Sequence, residues 1–110
     1  MRLLYHPDIK TISLAGVLYA LGDPVRLAIV QRLAKQDEIP CAALEIPIAK
    51  STLSHHFKIL RDAGILHCRK EGTQHINSLR RLELEARFPG LLDSVLECAD
   101  EELQSSERGD

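Results

Sequence analysis

The sequence predicts a mainly α-helical domain that carries one two-stranded β-hairpin. Three observations predict it. Apolar residues recur at helical spacing along most of the 110-residue chain. The longest of these runs stops at Gly64 and is followed by two short strand-like segments around Gly72. A chain of this length buries one core and has little left for a second, so a single domain over residues 1–104 with a flexible tail at 105–110 is expected.

Taken in order, the first helix is expected from Ile9 to Leu21, where Ile9, Ile12, Val17, Leu18 and Leu21 are interrupted mostly by small or polar groups. Gly22 ends it. Asp23-Pro24 restarts the chain, because Asp caps a helix and Pro fits the first helical position, where its missing donor costs nothing. The second helix then runs from Pro24 to about Ala34, burying Leu27, Ile29, Val30 and Leu33 and leaving Arg26 and Arg32 in water. Pro40 and Pro47 break the next apolar segment, which has room only for a short helix over about Pro40 to Glu45.

The stretch from Lys50 to Gly64 is the most informative. Leu53, Phe57, Ile59 and Leu60 predict an amphipathic helix over about 50–63. Its other face carries Lys50, Ser51, Thr52, Ser54, His55, Lys58 and Arg61, with no acid before Asp62. Donors and positive charge in that arrangement suit a phosphate-lined groove, although a solvated face has the same composition. His56 lies about 100° round the helix from His55 and is either a packed histidine or part of the polar face. Beyond Gly64, Ile65 to Arg69 and Gln74 to Leu79 flank Lys70-Glu71-Gly72-Thr73, giving a wing over about 66–79 with a basic tip at Arg69 and Lys70. A short helical turn from Leu82 to Arg87 and a break at Phe88-Pro89-Gly90 precede a last helix over about 90–104. The stripe of Leu92, Val95, Leu96, Ala99 and Leu103 on that helix is wider than a monomer of this size needs, which predicts a homodimer contact.

Charge is distributed unevenly. The net charge of −2 conceals a neutral segment 1–49, a segment 50–81 with seven basic and two acidic residues, and a segment 82–110 with two basic and nine acidic. The middle segment is the candidate polyanion surface. No apolar run approaches a membrane span, and Met1 to Ile9 lacks the apolar region of a signal peptide, so a cytoplasmic protein with no membrane partner is expected. Cys41, Cys68 and Cys98 are odd in number and widely spaced, so they are expected as free thiols, with Cys98 buried and inert beside the dimer stripe. Cys68 and His75 can face each other across the hairpin in one register and are separated in the next.

A short helix, a turn at Ile46 to Ile48, a longer helix and a hairpin make a winged helix-turn-helix. At these residues the chain resembles the ArsR/SmtB family of bacterial transcriptional repressors. The matching motifs are L-G-D-P-V-R-L-A-I-V at Leu21 to Val30, S-T-L-S-H-H-F-K-I-L-R-D-A-G-I-L at Ser51 to Leu66, and R-K-E-G at Arg69 to Gly72. Together they cover roughly residues 12 to 80. The resemblance implies a homodimer through the terminal helices that binds double-stranded DNA at an inverted repeat. Lys50, Ser51, Thr52, Ser54 and His55 are then expected at base edges and nearby phosphates, and Lys58, Arg61, Arg69 and Lys70 as backbone clamps.

The family's metal sites are not carried over. Many members hold a Cys-x-Cys pair before the turn or Asp and His ligands on the last helix, whereas here the first region has only Cys41 and residues 82–110 have no histidine. No cofactor or metal is therefore expected, and no inducer is indicated. An enzyme is not expected either, because no nucleophile, base and orienting group can be placed in one pocket. A winged helix that docks an acidic protein instead of DNA has the same sequence signals.

Overall fold

The computed structural model describes residues 4–107. Two short helices come first: α1 spans Leu14–Leu21 and α2 spans Pro24–Lys35. The expected single helix from Ile9 is divided. A 3-10 turn at Ile9–Thr11 is capped by Asp8, and α1 begins afresh because the Ser13 side chain accepts from the Gly16 N–H. Between the two, Ile12 turns inward to the core, and its carbonyl accepts from the Arg87 guanidinium at 3.0 Å. Asp23 caps α2 as expected, its Oδ2 accepting from Val25 and Arg26 N–H groups, with Pro24 opening the helix.

The segment expected as a short helix is different. Ile39–Pro40 forms a two-residue strand, β1, and only Cys41–Ala43 turns, as a 3-10 element. Pro40 cannot donate within a helix, and the segment instead gains pairing with a distant strand. The long polar-faced helix α3 covers Lys50–Asp62, close to its expected limits. Its end is a Schellman motif: Ile65 N–H reaches Leu60 O at 3.0 Å, Gly64 N–H reaches Arg61 O at 3.0 Å, and Gly64 has φ 85°. Ile12 packs where a Gly64 side chain would stand.

The hairpin consists of β2, Leu66–Glu71, and β3, Gln74–Leu79, in antiparallel register with Cys68 opposite Asn77 and Lys70 opposite His75. Glu71 pairs with Gln74, so the loop is only Gly72-Thr73, and β2 runs two residues beyond the expected strand end at Arg69. Gly72 supplies the positive φ that this tight loop requires. Ile39 opposite Asn77 adds β1 to the outer side of β3, giving a three-stranded sheet in the order β1-β3-β2 in place of the expected two strands. Helix α4, Arg81–Arg87, and helix α5, Leu91–Glu107, complete the chain. The last helix extends past its expected end, so 105–107 of the expected tail are helical and 108–110 lie outside the described residues.

One core joins these elements. Val17 of α1, Ile29 and Val30 of α2, Ile39 of β1, Leu60 of α3, and Ile65 and Leu66 at the start of β2 are all essentially inaccessible to water. Leu92 and Leu96 belong to the same cluster, and Ala99 is also buried. These three were expected to face a second copy; within the single chain they already lie against its own core, and Gln31 of α2 donates to Asp100 of α5 at 2.9 Å. Val95 is half-buried, and Leu103 remains open at 49% exposure. Leu14 and Leu18, four residues apart on α1, are comparably open.

Candidate nucleic-acid interface

Helix α3 is amphipathic as its spacing requires. Phe57 and Leu60 are buried, Leu53 and Ile59 pack at the margin of the core, and Lys50, Ser51, Thr52, Ser54, His55 and Lys58 are exposed. No side chain caps the first turn of this helix, so its leading N–H groups stay available on the same side as Lys50 and Ser51. Together they make a surface of donors at a helix N-terminus, the arrangement that attracts phosphate. Lys58 forms an exposed pair with Asp62 at 2.7 Å, a contact weak enough in water to be exchanged for a phosphate.

Two of the expected clamps are placed differently. Arg61 is half-buried on the flank of α3, with its Nε enclosed and without a partner. Arg69 is ion-paired with Glu38 and Glu71, the latter at 3.0 Å from Nη2. Because side chains alternate along a strand, Arg69 and Glu71 share one face of the sheet while Cys68 and Lys70 share the other. Hydrogen bonding to Arg69 holds the Glu38 carboxyl below its ordinary pKa and raises that of Arg69. Of the two basic residues expected at the wing, Lys70 is therefore exposed without an ion pair and Arg69 is already neutralised.

His56 is a packed histidine. Its Nδ1 lies 3.2 Å from Arg26 Nη1 and 3.8 Å from Asp23 Oδ2. Arg26 itself, expected in water, is 7% exposed. Its Nε donates to Ala20 O at 2.7 Å and its Nη2 to Tyr19 O at 3.3 Å, while the guanidinium lies 5.3 Å from the centre of the Tyr19 ring. The buried charge is satisfied by carbonyls of the last turn of α1. Facing Arg26, which can only donate, the His56 Nδ1 accepts in this contact. The Asp23 carboxyl is held below its usual pKa by the Arg26 backbone N–H, with the charge of Arg26 and the Val25 backbone N–H adding to it. Sequence reasoning missed Arg26 because a charged residue on an amphipathic helix is normally wet; the signal was its place two residues beyond the capping Asp-Pro.

On the outer edge of β2 the His6 Nε2 accepts the Cys68 N–H at 2.9 Å, and its ring stacks on His67 with centroids 4.6 Å apart. Burial lowers the pKa of His6, and His67, Arg61 and Arg80 lower it further. Arg80 ties the Pro7 carbonyl at 2.8 Å to the Glu83 carboxylate at 2.8 Å. That contact holds Glu83 below the usual carboxylate range. Cys41 is half-buried, Cys68 is buried and Cys98 is exposed, which corrects the expectation of a buried Cys98. Cys68 and His75 lie diagonally on one face of the hairpin, with Sγ and Nδ1 3.8 Å apart. Among the described residues, no three His, Cys, Asp or Glu side chains converge on a point that could hold a metal ion, and no single helix is long and apolar enough to cross a membrane.

Between the first turns of α3 and the tip of the wing runs a groove of about 510 Å³. Lys50, Leu53, Ser54 and Phe57 form one wall, Thr73, Gln74 and His75 the other, and Cys41 and Ala42 close the end. It brings the recognition helix and the wing into one continuous surface.

Comparison with known proteins bears on the fold and the family. A family model described as a helix-turn-helix domain matches residues 21–69. The uncharacterized HTH-type transcriptional regulator YceK of Bacillus subtilis is 36% identical over 84 residues, covering 74% of this chain and 84% of the relative. The arsenical resistance operon repressor of Staphylococcus xylosus is 37% identical over 68 residues, 61% of this chain and 65% of the relative. A crystal structure of an ArsR family transcriptional regulator superposes with a TM-score of 0.60 at 19% identity, covering 96% of this chain and 99% of that one, and so shares the fold from end to end. This is a family of transcriptional regulators and not of enzymes. With its capped α2, its polar recognition helix and its two-residue-loop wing, the chain belongs to the ArsR family of winged helix-turn-helix transcriptional regulators.

Proposed function

We propose that this regulator is a repressor that binds double-stranded DNA as a homodimer at an inverted-repeat operator. The observation that carries the reading is the division of α3: its apolar side packs against the chain's own core, while Ser51, Thr52, Ser54 and His55 are exposed beside an uncapped helix start. Side chains of this size at the start of a recognition helix reach base edges, and Lys50, Lys58 and Lys70 flank them for phosphates. Arg61 and Arg69 contribute less than their charge suggests, being half-buried and ion-paired respectively. A relative named as a repressor favours repression over activation. A DNA reader works where the DNA is, and the proposed location is the cytoplasm.

One recognition helix buries too little surface to specify a site, and two half-sites about one helical turn apart add their free energies. The second copy is proposed to dock on the open sides of the terminal helices, at Leu14 and Leu18 of α1 with Val95 and Leu103 of α5. Selection of bound sites from random duplexes tests the whole reading. Recovery of an inverted repeat with strong salt dependence is expected, and recovery of no consensus would refute it.

A further inference from the structure

The groove between α3 and the wing has two walls, and only the α3 wall was anticipated as a DNA contact. We propose that one strand of the DNA sugar-phosphate backbone lies in this groove, and that His75, oriented by Cys68, donates from the wing wall to a phosphate there. The proposal rests on the reading of the chain as a DNA-binding repressor and adds a residue and a tautomer to it.

Four features of the groove favour a backbone strand over other occupants. Its walls supply Lys50, Ser54, Thr73, Gln74 and His75 as donors, and none of its nine lining residues is an acid. Its lining also includes Leu53, Phe57 and Ala42, which are apolar and suit the carbon face of a deoxyribose. The groove continues directly from the exposed start of α3, so a helix in the major groove places the neighbouring strand toward the wing. Lys70, directly opposite His75 in the hairpin register, extends the same donor face outward.

The orientation of His75 follows from its neighbour. Cys68 is 5% exposed, and burial raises its pKa, so it remains a thiol. With the S–H donating across the 3.8 Å contact to Nδ1, the ring proton is on Nε2. That nitrogen lies on the far side of the ring from Cys68. The imidazole is thereby held with a donor outward, toward a phosphate in the groove.

The test uses the full chain and its selected operator. His75→Ala is expected to weaken binding about tenfold, in keeping with one hydrogen bond to a charged group, on cognate and unrelated duplexes alike. His75→Gln, which retains a side-chain donor, should recover part of the loss. Single methylphosphonate linkages scanned along the operator remove one phosphate charge at a time. At one linkage per half-site the wild type should lose as much as His75→Ala does, and His75→Ala should lose nothing further. Nitrogen-15 NMR of the free protein should show the His75 proton on Nε2 in the wild type and in Cys68→Ser, but a mixture of tautomers in Cys68→Val. Unchanged binding by His75→Ala, or additive losses at every linkage, would overturn the proposal while leaving the repressor reading intact. A wild type that binds no duplex would overturn both.

Discussion

Replacing Arg26 with Met separates the packing of its stem from the bonding of its head. The methionine side chain fills most of the space of the aliphatic stem, so the loss reports mainly on the guanidinium. That group makes two bonds to main-chain carbonyls, at 2.7 Å to Ala20 and 3.3 Å to Tyr19, and a third contact at 3.2 Å to His56. Bonds from a charged donor contribute about 1.5 to 3 kcal/mol each; with one of them long, a loss of about 3 to 5 kcal/mol is expected. That is a large share of the roughly 5 to 15 kcal/mol that holds a small domain together. Urea unfolding followed by circular dichroism measures it. His56→Leu in both backgrounds isolates the third contact, and a coupling of about 0.5 kcal/mol or more is expected. An Arg26→Met protein destabilised by less than about 1 kcal/mol would refute the account of Arg26 as the tie between α1 and α3.

Further outcomes follow from other contacts. Gly64→Ala places a methyl group into Ile12 at a φ of 85°. Left-handed strain and overpacking together should cost about 2 to 4 kcal/mol in urea unfolding, and a neutral effect would contradict the observed helix end. Leu18→Asp introduces a charge on the open face of α1 and should convert a dimer to a monomer in sedimentation; an unchanged dimer would move the interface elsewhere. His55→Ala should relax preference at particular base pairs by about 1 to 3 kcal/mol, whereas Lys70→Ala should weaken all duplexes alike and lower the salt slope by about one. If the two variants gave the same pattern, the division between base and phosphate contacts would be wrong. The folded pKa of His6 lies below its ordinary 6.5, so its neutral form stabilises the fold. That contribution is complete above 6.5 and is lost as pH falls through the folded value. The stability advantage of wild type over His6→Ala should therefore shrink between about pH 7.5 and about pH 5.5, and a constant advantage would exclude His6 as its source.

Local signals made much of this fold legible. Asp23-Pro24 marked the start of α2, the spacing of Leu53, Phe57 and Leu60 marked α3, and Gly64 and Gly72 marked the helix end and the hairpin loop. Long-range pairing was not legible. Ile39–Pro40 is too short to show a period, and it becomes a strand only because Asn77 and Ile76 lie alongside. The pairing of Arg69 with Glu38 leaves no trace in spacing, since it depends on a partner in a different element. The stripe of Leu92, Leu96 and Ala99 shows a different limit. An apolar helix face announces that it will be covered, but its periodicity is the same whether the cover is α2 of its own chain or a second copy. Within the interface, exposure of Lys50 to Lys58 followed from amphipathicity, while the identity of the opposite groove wall required the hairpin register.

The strand order β1-β3-β2 leaves the sheet with two outer borders, and each is closed to further strands by a different means. On one side β1 is two residues long and ends at Pro40, which has no N–H to offer. On the other, β2 presents Arg69, Lys70 and Glu71 in succession toward its tip, and its Cys68 N–H is already taken by His6. A second molecule attempting to extend the sheet meets a missing donor on one border and a run of charges on the other. Copies crowded along one duplex are thereby kept from polymerising through their wings, and any self-association is left to helical surfaces, where it can close into a defined oligomer.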